Sequence, residues 1–271
     1  MSDFDGTLSE IVADPEAARI IPLARAALRR LARTAAARPG RLAVAVLSGR
    51  ASIDVAGRVR VGGLSYLGNH GLESGVLARG ARPAGLKVVA TGATGDSADA
   101  TGLGPRVADL LGRPPWLFVE TKVPSVAFHY RQAPDPEAAR RAVLRALADA
   151  GGPPPGQHDG GLEAIEGRRV VEIRPGGSGG KAAAIQRLVD AERPDAVLML
   201  GDDISDAEAF RALARERART NLHGLAIAVL GVAETPAWVA ESGDLVLGSP
   251  RDAARVLSLV ARLVEAGSGS G

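Results

Sequence analysis

The sequence predicts an α/β fold: a core with a parallel sheet, interrupted by an inserted α+β domain. Residues 42–47 and 196–200 are continuous apolar runs, the pattern of strands buried on both faces of a parallel sheet. Both stop in small and polar residues, Ser48-Gly49-Arg50 and Gly201-Asp202-Asp203, and open α/β sheets bind ligands at the carboxyl ends of their strands. Between them residues 80–175 read α-β-β-α-β-β, the order of a small antiparallel sheet with helices on one face. The expected division is therefore a discontinuous core, 1–79 and 176–271, around an insertion at 80–175.

Taken in order, the chain opens with Asp3-Phe4-Asp5-Gly6-Thr7-Leu8. In an extended segment residues i and i+2 point to the same side, so Asp3 and Asp5 should face one space. Only Met1 and Ser2 precede Asp3, so most of any strand ending there is expected to be missing. A helix is expected over 16–37, with Leu23, Ala27, Leu31 and Thr34 at helical spacing and Pro22 near its first turn. The strand at 42–47 leads to a helix at 51–60 and a short strand at 64–67 that stops at Gly68-Asn69-His70-Gly71. In the insertion, a helix at 99–112 precedes strands at 116–121 and 125–131. Residues 136–150 form a helix whose apolar stripe is Ala139, Val143, Leu147 and Ala150, and strands follow at 162–165 and 170–174. Alternation then resumes, with helices at 181–192, 206–217 and 250–266, a helical turn from 236, and strands at 196–200, 225–230 and 245–247. Residues 267–271 read as a flexible tail.

Composition narrows the function. With 33 basic and 31 acidic residues and a net charge of +2, there is no general electrostatic case for nucleic acid, and 3% aromatic content argues against base-stacking platforms. The absence of cysteine excludes disulfides, zinc-thiolate sites and thiol nucleophiles and suits a cytoplasmic enzyme. No apolar run is long enough to span a bilayer, and no signal-peptide pattern opens the chain.

Each polar cluster alone reads more readily as a turn, a helix cap or a solvated lysine than as part of a site. Together they end or follow the predicted core strands: Asp3/Asp5, Ser48-Gly49-Arg50, the loop before Lys181, and Asp202/Asp203/Asp206. Residues 175–182 also carry partial nucleotide-binding patterns, but a P-loop would need Gly at Pro175 and a hydroxyl at Ala182. The dinucleotide-type spacing Gly177-x-Gly179-x-x-Ala182 comes late in the chain, after a strand of the α-β-β unit.

In that order the clusters resemble the four motifs of the haloacid dehalogenase (HAD) superfamily of phosphohydrolases. DFDGTL, SGR, G-x-HG, ETK with the following Ser125 and His129-Tyr130-Arg131, VEIRP, Gly180-Lys181 and GDDISDAEAF together resemble the trehalose-6-phosphate phosphatases over nearly the whole chain. The resemblance implies a Rossmann-like HAD core with a C2-type αββαββ cap for substrate selection. It implies Asp3 as nucleophile, Asp5 as general acid and base, and Ser48 and Lys181 as phosphoryl ligands. Mg²⁺ would be held by Asp3, by the backbone carbonyl of Asp5 and by Asp202, with Asp203 and Asp206 orienting its waters. A carboxylate attacking a phosphate dianion needs such a bridging cation.

Substrate contacts are expected from Thr7, Gly49, Arg50, Asn69, His70 and Gly71 in the core, and from Glu120, Lys122 and Glu163 in the cap. Glu73, Ser125, His129, Arg131 and Glu172 are expected in supporting positions. The implied substrate is trehalose 6-phosphate, in the cytoplasm, with a functional link to a trehalose-phosphate synthase and no nucleic-acid or membrane partner. Two other readings stay open: a phosphatase for another sugar phosphate, such as sucrose or glucosylglycerol phosphate, and an inactive sugar-phosphate-binding subunit, suggested by the short start.

Overall fold

Residues 1–3 lie between two parallel strands, and Ser2 bridges to Val46 on one side and Leu200 on the other. The Ser2 N–H donates to Ala45 O at 3.1 Å, Leu47 N–H donates to Ser2 O at 3.0 Å, and Asp3 N–H donates to Leu200 O at 2.9 Å. The short extended segment before Asp3 is thus pinned on both flanks. This computed structural model describes residues 1–12, 14–91, 100–122, 125–156, 158–159, 161–167, 169–176, 180–230 and 237–267. Expectations that touch Gly177, Gly179, residue 236 and the tail beyond 267 fall outside those residues.

Helix α1 (Pro22–Ala37) starts at its proline, whose fixed φ and missing N–H suit the first helical position. The expected start at 16 is instead a separate 3₁₀ turn, Pro15–Ala17, capped by Asp14. Strand β1 (Ala45–Leu47), helix α2 (Ser52–Val59) and strand β2 (Leu64–Gly68) follow, and β1 pairs with β2 in parallel. Two strands were not foreseen, β3 (Glu73–Leu77) and β4 (Val89–Ala90), which extend the sheet antiparallel from β2. Both belong to the core, so the first compact unit runs to Thr91 and the insertion starts at Gly92, not at 80.

The unit 92–179 contains α3 (Leu103–Leu110), β5 (Phe118–Lys122), β6 (Ser125–His129), α4 (Pro136–Asp149), β7 (His158–Asp159), β8 (Leu162–Gly167) and β9 (Val170–Pro175). Its sheet is antiparallel in the order β5-β6-β9-β8-β7. The expected α-β-β-α-β-β order holds, with the two-residue β7 added. Val126, Phe128, Val171 and Ile173 pack against Val143 and Leu147 of α4 in this unit's own core.

The core resumes with α5 (Gly180–Glu192), β10 (Ala196–Gly201), α6 (Ile204–Arg219), β11 (His223–Val229), α7 (Ala237–Glu241), β12 (Leu245–Leu247) and α8 (Pro250–Ala266). Strands β10, β11 and β12 pair in parallel. Phe4, Leu28, Val46, Tyr66, Leu200, Ile227 and Leu257 are buried together, and each large apolar side chain removed from water contributes about 1.5–3 kcal/mol. The Tyr66 hydroxyl is buried with them and donates to Val61 O at 2.6 Å. The parallel strands β1 and β10 carry Ser48 and Asp202 just past their carboxyl ends, on either side of Asp3.

Candidate active site

Lys181 sits in the first turn of α5 and is almost wholly buried, yet its Nζ is charged in company. It donates to Asp3 Oδ1 at 2.7 Å and to Asp206 Oδ1 at 2.8 Å. Asp206 accepts with its other oxygen from the N–H groups of Asp202 and Asp203, at 3.2 and 3.3 Å. The local sequence builds this: Asp203 is the N-cap of α6 and accepts from Asp206 N–H, while Asp206 reaches back to the cap, a capping box with aspartate in both roles. Thr7 Oγ1 donates to Asp202 Oδ1 at 3.1 Å. Gly6, at φ +79°, makes room for this carboxylate, because a Cβ there would lie 2.0 Å from Asp202 Oδ2.

One oxygen from each of Asp3, Asp202 and Asp206 falls within 4.8 Å of the others, all three residues being buried. Three buried carboxylates facing one ammonium hold surplus negative charge, which protons or a cation must relieve. Burial pushes Asp3 well above the ordinary carboxylate range against the pull of Lys181, with Asp202 and Asp203 adding to the rise. Burial also pushes Asp202 up to about 8, helped by Asp206 and Asp203. Asp206 is raised by burial in the same way. Burial opposes the charge on Lys181, but Asp203, Asp206 and Asp3 outweigh it and raise its pKa well above normal. Asp203 goes the other way: burial works against its charge, and Lys181 with the hydrogen bonds from Asp206 and Ser205 holds it low. The donors are all hard oxygens on a cluster short of positive charge, so the residues present fit a hard metal ion.

Asp5 does not share this space with Asp3. The chain leaves the sheet at Phe4, whose carbonyl accepts from the Leu8 and Ser9 N–H groups at 2.9 Å, and the i, i+2 parity of a strand is lost there. The Asp5 carboxylate is gripped in fork geometry by Arg50, Nε to Oδ2 at 2.7 Å and Nη2 to Oδ1 at 2.8 Å. Arg50 in turn lies over the Phe4 ring and reaches Asp54 at 3.2 Å. Asp54 also accepts from Arg58 Nε at 2.9 Å. Arg50, expected among the substrate contacts, is placed on the general acid candidate. Asp54 was not singled out, although an Arg–Asp pair at i, i+4 on a helix is a legible signal.

Ser48 is buried, and its Oγ accepts the Arg50 N–H at 3.1 Å. Its carbonyl accepts the His70 N–H at 2.9 Å, and Arg50 O accepts Asn69 N–H at 2.8 Å. Asn69, His70 and Gly71 all have positive φ, 49°, 56° and 91°, three left-handed residues in succession. His70 lies against Gly49, where a Cβ would come 2.8 Å from the ring. Asn69 Oδ1 is buried without a hydrogen-bond partner. Arg187 of α5 donates to Gly71 O at 2.7 Å, a tie that nothing in the sequence marked. Glu73 accepts from the Ser52 N–H and so caps α2.

In the unit 92–179, Glu120, Ser125, His129, Glu163 and Glu172 share one sheet face. Glu120, Ala127, Glu172 and Ile165 are successive cross-strand partners, so they lie on the face away from the apolar core, and Ser125, His129 and Glu163 follow by parity. Glu120 Oε2 is 2.9 Å from His129 Nε2. Glu163 accepts from Arg174 Nε at 2.6 Å, in a largely buried cross-strand pair. Ser125 is buried. The backbone of Lys122 pairs with Ser125, while its side chain lies outside the described residues. Arg131 follows β6 in an exposed turn.

Comparison with known proteins bears on this arrangement. The family profile described as trehalose-phosphatase matches residues 1–84 and 105–235. A trehalose-phosphate phosphatase of Mycobacterium avium is 39% identical over 220 residues, covering 78% of this chain and 50% of its own. The Aspergillus fumigatus trehalose-6-phosphate phosphatase structure superposes with a TM-score of 0.60 at 26% identity, over 96% of this chain and 90% of that one. A haloacid dehalogenase-like hydrolase from Bacteroides thetaiotaomicron gives 0.61 at 15% identity, over 97% of each chain, and shows the fold alone. The chain spans about half the length of the curated relatives it matches, 50% and 58% for the M. avium and M. marinum proteins.

Proposed function

The chain belongs to the trehalose-phosphatase family, and on that premise we propose that it hydrolyses trehalose 6-phosphate to trehalose and phosphate through an aspartyl-phosphate on Asp3. The observation that carries this reading is the buried Asp3–Lys181–Asp206 chain beside Asp202. Lys181 holds one oxygen of Asp3 and leaves the other to attack phosphorus, so the P–O bond to the sugar breaks as the Asp3–phosphorus bond forms. Asp5, with one oxygen released from the Arg50 fork to carry a proton, gives that proton to the leaving sugar oxygen. In the second step Asp5 takes a proton from water, the water oxygen bonds to phosphorus, and the bond to Asp3 breaks. Ser48 Oγ already accepts from Arg50, so its own proton is available to a phosphoryl oxygen. Thr7 and Gly6 fix the carboxylate of Asp202.

Asp3, the Asp5 carbonyl and Asp202 would hold Mg²⁺, which when bound offsets the repulsion between a carboxylate and a phosphate dianion. Both oxygens of Asp206 are already taken by Lys181 and by backbone N–H groups, which favours an orienting role for it. On the sheet face that carries Glu120, His129 and Glu163, carboxylates and imidazole suit the hydroxyls of a disaccharide, and a site built on such hydrogen bonds rejects sugars that lack the partners. No helix among the described residues is long and apolar enough to cross a membrane. A cytoplasmic location and a functional link to a trehalose-phosphate synthase are part of this reading, on the ground of its phosphorylated substrate.

Phosphate release across trehalose, sucrose, glucosylglycerol and glucose phosphates, with and without EDTA, tests the proposal. Preference for trehalose 6-phosphate and loss of turnover in EDTA are expected. Equal turnover of glucose 6-phosphate would remove the disaccharide assignment, and EDTA-insensitive turnover the metal.

A further inference from the structure

Four arginines, Arg29, Arg33, Arg60 and Arg79, line one cleft of about 210 Å³ together with Ala32 and Gly62. All four are exposed, and among the described residues none is in an ion pair. The chain as a whole carries a net charge of only +2, so this concentration is local. Arg25 beside it shows the crowding: its pKa is lowered by burial and then by the charges of Arg29 and Arg60. Glu265 feels Arg33, but its carboxylate is held by Arg30. The other arginines clustered near the acidic site, Arg50 and Arg58, are by contrast satisfied by aspartates and a glutamate.

The backbone at this cleft is unusual too. Arg60 ends α2 in the left-handed conformation, φ 54° and ψ 47°, a place where glycine is the common residue and a side chain is strained. Its guanidinium lines the cleft and is tied back to the helix end, with Nε donating to Gly57 O at 2.9 Å. Gly62 cannot carry a side chain, since a Cβ would lie 2.4 Å from Ala78 O. Arg60 precedes β2 and Asn69 follows it, so the length of that strand, about 16 Å at 3.3 Å per residue, separates the cleft from the catalytic edge.

We propose that this cleft is a second binding site, for a small soluble anion carrying phosphate groups. Guanidinium groups match phosphate oxygens in fork geometry, and four of them around one open, shallow cleft of about 210 Å³ concentrate positive potential where a small ligand can enter from solvent. Nothing in this site depends on the hydrolytic reading above.

Calorimetric titration of the metal-free chain with inorganic pyrophosphate tests it, because without a cation the carboxylate cluster repels the same anion. One binding event that weakens as salt rises is expected. Arg60→Gly should weaken it about tenfold or more, and the variant should melt no lower than wild type, since glycine suits that φ. Arg60→Gly with Arg79→Ala should abolish binding and leave turnover of the sugar phosphate unchanged. No binding by the wild-type chain, binding indifferent to both changes, or capture only by phosphatidylglycerol vesicles and not by free pyrophosphate would each overturn the proposal. So would loss of turnover in the double variant, which would make the cleft a structural part of the core.

Discussion

Asp3 and Asp5 stand two apart in the sequence and end in opposite electrostatic settings. Asp3 is buried with Lys181, while Asp5 is half-exposed and tied to Arg50. The motif identified both residues, but their common orientation was inferred from strand parity, which fails where the chain turns at Phe4. Arg50→Ala would free Asp5 from its fork, and Arg50→Lys would keep charge without the fork. Turnover of trehalose 6-phosphate is expected to fall about ten- to a hundredfold in the alanine variant, no more than the low end of a general acid–base contribution because Asp5 itself remains, and less in the lysine variant. A change confined to KM would return Arg50 to direct substrate binding. The carboxylates also set a pH dependence. Asp202 is pushed up to about 8, chiefly by burial, whereas an unfolded aspartate titrates near 3.9. Between those values the metal-free folded chain binds the extra proton, so its stability falls as pH rises through that window. Asp203, held low, titrates below it and does not cancel the effect. Under the proposed metal assignment a bound cation would replace the proton, so the rise in Tm on adding Mg²⁺ should be larger at pH 8 than at pH 6, and a larger rise at pH 6 would contradict the assignment.

At the scale of elements, strands β1 and β10 were legible because their apolar runs are unbroken, α1 because of the proline at its start, and α4 because of its apolar stripe. Strands β3 and β4 were not, since Glu73-Ser74-Gly75 carries no strand pattern and β4 is two exposed residues. Their place is set by pairing to β2, a long-range contact that local composition does not encode. The left-handed turn at Asn69–Gly71 was visible as a motif, but not its packing: a Cβ on Gly71 would lie 2.5 Å from that of Ala184 on α5. That helix carries Lys181 in its first turn. Gly71→Ala should therefore lower Tm by several degrees, consistent with a strain of about 1–3 kcal/mol, and reduce kcat at least tenfold by shifting Lys181. Wild-type kcat in the folded variant would uncouple the turn from the catalytic lysine.

The whole molecule divides into two compact units, 1–91 with 180–271 and 92–179, each with its own apolar core. The discontinuous organisation was legible from the switch in element order, and its first boundary was not, because β3 and β4 resemble the Gly- and Ala-rich insertion in composition. Under the proposed function, phosphoryl chemistry falls to the first unit and sugar recognition to the second. Glu120→Gln should then raise KM for trehalose 6-phosphate several-fold while leaving hydrolysis of p-nitrophenyl phosphate unchanged. An equal loss on both substrates would place Glu120 in the chemistry or the folding instead. In the proposed reaction the attacking side chain is Asp3, which the first unit pins between β1 and β10. The most direct measurement is the steady-state turnover of trehalose 6-phosphate by Asp3→Asn beside wild type, with binding followed by calorimetry on the same samples. The variant should bind the substrate and turn it over at less than about a thousandth of the wild-type rate; a variant that binds and retains a larger rate would contradict Asp3 as the nucleophile.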